Sequence, residues 1–101
     1  MQPKKDDIGK LLYHLLPVEV HEQVVERFTI GAKKYSENPH GDPNWRLGEG
    51  HNPIRLINAA YRHIAEYRKG IKIDPENGSP HLIAAICNLV MIQDLENQKK
   101  N

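Results

Sequence analysis

The stretch Ser79-Pro80-His81-Leu82-Ile83-Ala84-Ala85-Ile86-Cys87-Asn88-Leu89-Val90-Met91-Ile92 decides the fold. Ser followed by Pro predicts a helix start, with Ser79 as the cap and Pro80 in the first turn, where a missing N–H costs nothing. From Leu82 to Ile92 the side chains are apolar nearly all round, and the helix is expected to run to about Glu96. Such a helix belongs in an interior with neighbours on every side. Two further helices from one chain scarcely surround it. The pattern therefore predicts an oligomeric helical bundle, a dimer or higher, with this third helix near the shared core.

Upstream, Asp74-Pro75-Glu76-Asn77-Gly78-Ser79 is a turn cluster, and Ile71 to Ile73 is too short to build a sheet. Gly70 is the expected stop of a second helix that opens at Asn52-Pro53. Ile54, Ile57, Ala60, Tyr61, Ile64 and Tyr67 supply its expected buried face. A first helix opens at Pro17 and ends near Tyr35, with Val18, Val24, Val25, Phe28, Ala32 and Tyr35 on one broad face. The fold class is thus all-α, with three main helices. Residues 1–10 read as a flexible N-terminal segment that Ile8 would anchor, 11–96 as a single domain, and 97–101 as a tail. Residues 36–52 form a long Asn-, Pro-, Gly- and His-rich connection, of the kind that is more often functional or an oligomer contact than idle.

Composition narrows the function. In 101 residues, 14 basic side chains face 13 acidic ones, so there is no basic field for duplex nucleic acid. Cys87 is alone, which excludes a disulfide framework. No run approaches the roughly eighteen apolar residues of a membrane span, and the N-terminus lacks the apolar core of a secretory signal. The expectation is a cytoplasmic protein with no membrane partner, in the host cytoplasm if it is phage-encoded.

Several polar groups break the apolar pattern. Glu19, Glu22 and Glu26 share one face of the first helix. Carboxylates at that spacing suit Mg2+ or Mn2+, and equally suit a solvated surface. Lys33, Lys34 and Tyr35 close the same helix, and Asn44-Trp45-Arg46 follows. Lysines neutralise phosphates and an aromatic face stacks on a base, although lysines there also complement the helix C-terminus. Arg55, Asn58 and Arg62 lie along one side of the second helix, with His63 beside Arg62. Asp74, Glu76 and His81 crowd into eight positions around Gly78. They form a pair that orients the imidazole, or a set that shares an ion. Asn88 is the uncharged polar side chain inside the apolar helix, marking either a site or an oligomer contact. Cys87 reads as core.

In order, Gly9-Lys10, Leu15-Leu16-Pro17, Gly31-Ala32-Lys33-Lys34-Tyr35, Asn44-Trp45, Arg62-His63, Gly70, Asp74-x-Glu76-x-Gly78-x-x-His81-Leu82 and Asn88 form a set. It resembles the dATP/dGTP diphosphohydrolase N-terminal domain family, phage-associated relatives of the MazG-like all-α nucleotide pyrophosphohydrolases. The resemblance covers roughly residues 9–95. It implies a divalent-metal-dependent split of dGTP or dATP into monophosphate and pyrophosphate. On that reading Glu22 and Glu26, with Asp74 or Glu76, hold Mg2+, Mn2+ or another divalent ion. Lys33, Lys34 and Arg62 neutralise the triphosphate, and His81 or His63 is the general base or positions the water. Trp45 or Tyr35 stacks on the purine, and Asn44 and Asn88 contact the substrate.

MazG-like enzymes carry a second carboxylate pair on a later helix, where this chain has His81-x-x-Ala84. That motivates an alternative within the same fold: a phage protein that captures a nucleotide, or a nucleotide-derived signal, without cleaving it. A third reading is a structural oligomer in which His81 and Asn88 only fix assembly.

Overall fold

The computed structural model describes residues 6–35, 41, 43–46 and 50–99. Three helices carry the chain: α1 (Val18–Tyr35), α2 (Pro53–Arg68) and α3 (His81–Lys99). Short 3-10 turns occupy Tyr13–Leu15 and Asn44–Arg46. No strand occurs among the described residues, and the fold is all-α. The chain ends at 1–5 and 100–101, and much of the connection after α1 (36–40, 42 and 47–49), lie outside the described residues.

The helix ends follow local chemistry. Pro17 precedes α1 and its carbonyl accepts from the His21 N–H at 3.0 Å. Glu19 sits at the positive end and Lys33 and Lys34 at the negative end, complementing the macrodipole. Asn52 caps α2, its Oδ1 accepting from the Ile54 N–H at 2.8 Å, with Pro53 as the first helical residue. The other end of α2 closes in a Schellman arrangement. The Ile71 N–H reaches the Glu66 carbonyl at 3.1 Å and the Gly70 N–H reaches Tyr67 at 2.9 Å. Gly70 takes φ +94°, a conformation only glycine adopts without strain.

The start of α3 differs from the sequence expectation. Ser79 does not cap it; the helix begins at His81, and the Ala84 N–H bonds to the Pro80 carbonyl at 3.1 Å. Pro80 instead pairs with Ile73 in an isolated antiparallel bridge. The His81 N–H donates to Lys72 and the Asp74 N–H to Ser79, both at 2.9 Å. The turn between α2 and α3 has captured the two residues that looked like a helix start. At its other end α3 continues past Glu96 to Lys99.

α3 packs against both α2 and α1, most extensively against α2. Leu56 and Ala60 from α2 and Ile83, Ala84, Ala85, Cys87 and Leu95 from α3 form the buried apolar core. The expected α2 face is corrected: Ile54, Ile57, Tyr61, Ile64 and Tyr67 are exposed, Tyr61 at 68%. Leu56, Ala60 and His63, spaced at four and three residues, turn toward α3 instead. In α1, Val24, Phe28 and Ala32 are half-buried, while Val18, Val25 and Tyr35 face outward. Ile8 anchors nothing; it is almost fully exposed. Among the described residues α3 is left with Leu82, Ile86, Leu89 and Val90 exposed. No helix among the described residues is long and apolar enough to cross a membrane.

Candidate functional site

The turn before α3 is built to hold one imidazole. The Asp74 carboxylate accepts from the Glu76 N–H at 2.9 Å, and the Asn77 side chain accepts from the Ser79 N–H at 2.9 Å. The Gly78 N–H closes onto the Asp74 carbonyl at 2.8 Å, with Gly78 at φ +75°. This bracing delivers His81 as the first residue of α3, directed at the middle of α2. His81 is 5% exposed. Its Nδ1 lies 2.9 Å from Nδ1 of His63, with ring centroids 5.2 Å apart and planes at 40°. Asp74 completes a group of three whose donor atoms all lie within 4.8 Å of one another.

The electrostatics of this pair are tight. Burial, reinforced by the positive charge His81 would carry, lowers the His63 pKa below the ordinary histidine value; Asp74 opposes the shift. A hydrogen bond between the facing Nδ1 atoms requires one ring to donate and the other to accept. Nε2 of His81 is fully buried and has no hydrogen-bond partner among the described residues.

His63 also borders an open cavity of about 910 Å³ lined by α1, α2, α3 and the segment that carries Trp45. One wall is apolar: Phe28 and Trp45 sit with ring centroids 6.2 Å apart at 42°, flanked by Leu56 and Met91. Among the polar groups lining it are Arg27, Lys33, His63 and Asn88, with the paired Arg46 and Asp94. Nε of Arg27 is buried and unpartnered among the described residues, and its charge bears on both His63 and Cys87. Asn88 is only 7% exposed. The Trp45 segment is tied to α3 by a two-pronged pair, Arg46 to Asp94 at 2.7 and 3.2 Å. Cys87 is buried, and burial pushes its thiol up to about 11, so it is a neutral wall group at pH 7.

Of the residues singled out from sequence, Lys33, Tyr35, Trp45, His63 and Asn88 line this cavity. Lys34 turns away and pairs with Glu76 at 3.6 Å across the surface. Arg62 borders a smaller cleft of about 310 Å³ with His51, Arg55 and Asn58. Glu22 and Glu26 are exposed on α1, line neither space, and join no group of candidate metal ligands among the described residues. Glu76 is exposed, while Asp74 stands with the two histidines. The Asn44 side chain lies outside the described residues. Arg27 escaped the sequence reading. Its signal was there: it falls three residues after Val24 and four before Gly31, a lone charge inside the inward stripe of α1.

An aromatic wall beside a guanidinium, a lysine and an imidazole suits a flat, anionic ligand of nucleotide size. The comparisons agree in kind. A "dATP/dGTP diphosphohydrolase" of Salmonella phage PMBT28 is 33% identical over 95 residues. That alignment covers 94% of this chain and 30% of the relative, so the chain spans less than a third of that protein's length. No solved structure matches the chain. The family described as dATP/dGTP diphosphohydrolase, N-terminal, matches residues 1–101, and the chain belongs to it.

Proposed function

We propose that this domain binds a purine deoxynucleoside triphosphate in the 910 Å³ cavity, as part of a metal-dependent hydrolysis to monophosphate and pyrophosphate. The observation that carries the reading is Arg27: it lines a cavity whose other wall is aromatic, and its Nε is buried without a partner among the described residues. A guanidinium N–H buried without a partner is costly, and an anion in the cavity held by the rest of the Arg27 guanidinium would offset that cost. Arg27 and Lys33 bind the phosphates, Trp45 stacks on one face of the base with Phe28 packed against it, and Asn88 reads a polar edge of base or sugar. His63 and His81 work at the reacting end. A bound divalent ion would neutralise phosphate oxygens and acidify the attacking water. Of the carboxylates that the sequence offered as its ligands, Asp74 is the one beside other donor atoms.

One observation favours capture without cleavage as a second reading. Among the described residues the cavity has a single acidic lining group, Asp94, and it is engaged by Arg46. Incubation of the protein with dGTP or dATP and Mn2+, with release of pyrophosphate followed, separates the two. Turnover that falls at least tenfold in Arg27→Met supports hydrolysis. Tight binding with intact nucleotide supports capture. If neither nucleotide raises the melting temperature, both readings fail.

A further inference from the structure

We infer that His63, Asp74 and His81 form a binding site for one first-row transition-metal ion of the Mn2+-to-Zn2+ series, in preference to Mg2+. Three observations converge. The donor set is two imidazoles and one carboxylate within 4.8 Å, drawn from α2, the preceding turn and the first residue of α3. Nitrogen donors suit borderline ions, whereas Mg2+ takes oxygen ligands and retains its water. The facing nitrogens are 2.9 Å apart. Two imidazole nitrogens at about 2.0–2.1 Å from one ion stand about 2.9 Å apart at the right angle of an octahedral site and about 3.3 Å apart at a tetrahedral one, so little movement would let both ligate.

The third observation is burial. His81 is 95% sequestered, so its Nδ1 is shielded from water and directed at His63 and Asp74. A His–His hydrogen bond alone leaves this as a charge-poor pair of bases shut inside a protein. Nothing in the packing requires two histidines there, since Ala60 and Ala84 fill neighbouring helix positions without polar cost. The Asp74 carboxylate has one oxygen engaged by the Glu76 N–H, which fixes its orientation. Because His63 borders both the group and the cavity, the ion sits at the cavity's edge. In that role the two histidines hold the ion and do not act as the proton acceptor. The site is independent of whether the nucleotide is cleaved.

The test uses the full chain, stripped with chelator and free of nucleotide. Titration with CoCl2, read by visible absorption and calorimetry, is expected to give one Co2+ per chain, displaceable by Zn2+. Affinity for Co2+ is expected to exceed that for MgCl2 at least tenfold. His63→Asn and Asp74→Asn, each checked for native circular dichroism, are expected to weaken Co2+ binding at least ~10-fold. The double variant Glu22→Gln/Glu26→Gln is expected to bind Co2+ as the parent does. In the parent protein, Zn2+ moves the ring 15N resonances of His63 and His81 together, a readout that needs no variant to fold. Absence of Co2+ binding, binding that survives in the His63 and Asp74 variants, binding lost with Glu22 and Glu26, or unmoved imidazole resonances would overturn the assignment.

Discussion

Gly50→Ala probes how the Trp45 segment is seated on α3. Gly50 has φ +80°, and a Cβ there meets Leu95 Cδ2 at 2.6 Å and the Trp45 carbonyl oxygen at 3.1 Å. That carbonyl is not free to move, because it accepts the His51 N–H at 3.0 Å. The substitution therefore has two costs. Left-handed backbone in a non-glycine residue costs about 1–2 kcal/mol, and forcing a methyl into packed surroundings about 1–3 kcal/mol. Gly70→Ala isolates the first, since Gly70 has φ +94° and no atom within 4 Å of the added Cβ. At roughly 4–8 °C per kcal/mol for a domain near this size, the extra ~1–3 kcal/mol should make Gly50→Ala melt about 4–24 °C below Gly70→Ala. Thermal circular dichroism at 222 nm gives both values. Equal losses would mean that Leu95 and the Trp45 carbonyl do not pack on Gly50, and would refute this account of the cavity wall.

Three further outcomes follow from the same contacts. Asp94→Asn, which breaks a half-buried two-pronged pair, should lower the urea-unfolding free energy by about 1–2 kcal/mol and red-shift emission from Trp45, the protein's single tryptophan. The raised Cys87 pKa, about 11 against an ordinary value near 9, means that the unfolded thiol ionises first as pH rises. Its contribution is therefore intact below pH 9 and is lost between 9 and 11, up to about 3 kcal/mol. Cys87→Ala should flatten that part of the stability–pH curve, and disulfide reagents at pH 8 should label the native parent about 100-fold more slowly than the urea-unfolded chain. Finally, Leu82, Ile86 and Leu89 are exposed at helical spacing on α3. Sedimentation should find the parent as a dimer or larger and Leu89→Glu as a monomer; a monomeric parent would sink this expectation.

Much of the fold was legible because its signals are local. Asn52-Pro53, Gly70 and the two lysines at the end of α1 each act within one helical turn of where they stand. Ser79-Pro80 misled because it carries two compatible local meanings, helix start and bridge partner. The long-range bond from the His81 N–H to Lys72 selects the second. The α2 face was misread for a similar reason: Ile54, Ile57, Tyr61 and Ile64 make the larger apolar stripe, yet α3 meets the narrower Leu56–Ala60–His63 side. Hydrophobicity alone does not say which stripe a neighbour will use. In the site, Asp74 and His81 were visible as a cluster since eight positions hold both. Their meeting with His63, eighteen residues before His81, is a product of helix packing and has no signature in spacing. Arg27 was hidden because a single arginine on a charged helix reads as surface until its depth is known.

The placement of α3 also bears on how the chain is made. Both α1 and α2 bury their inward stripes chiefly against α3, which follows both of them in sequence. An emerging chain on the ribosome has therefore completed two amphipathic helices before the surface that covers them exists. Helices of sixteen and eighteen residues are marginal alone in water. The domain accordingly acquires its tertiary structure in one late step, when residues 81–95 leave the exit tunnel, and until then it is a client for whatever protects unfolded chains. A stop anywhere before Leu95 would yield no smaller folded version of this protein.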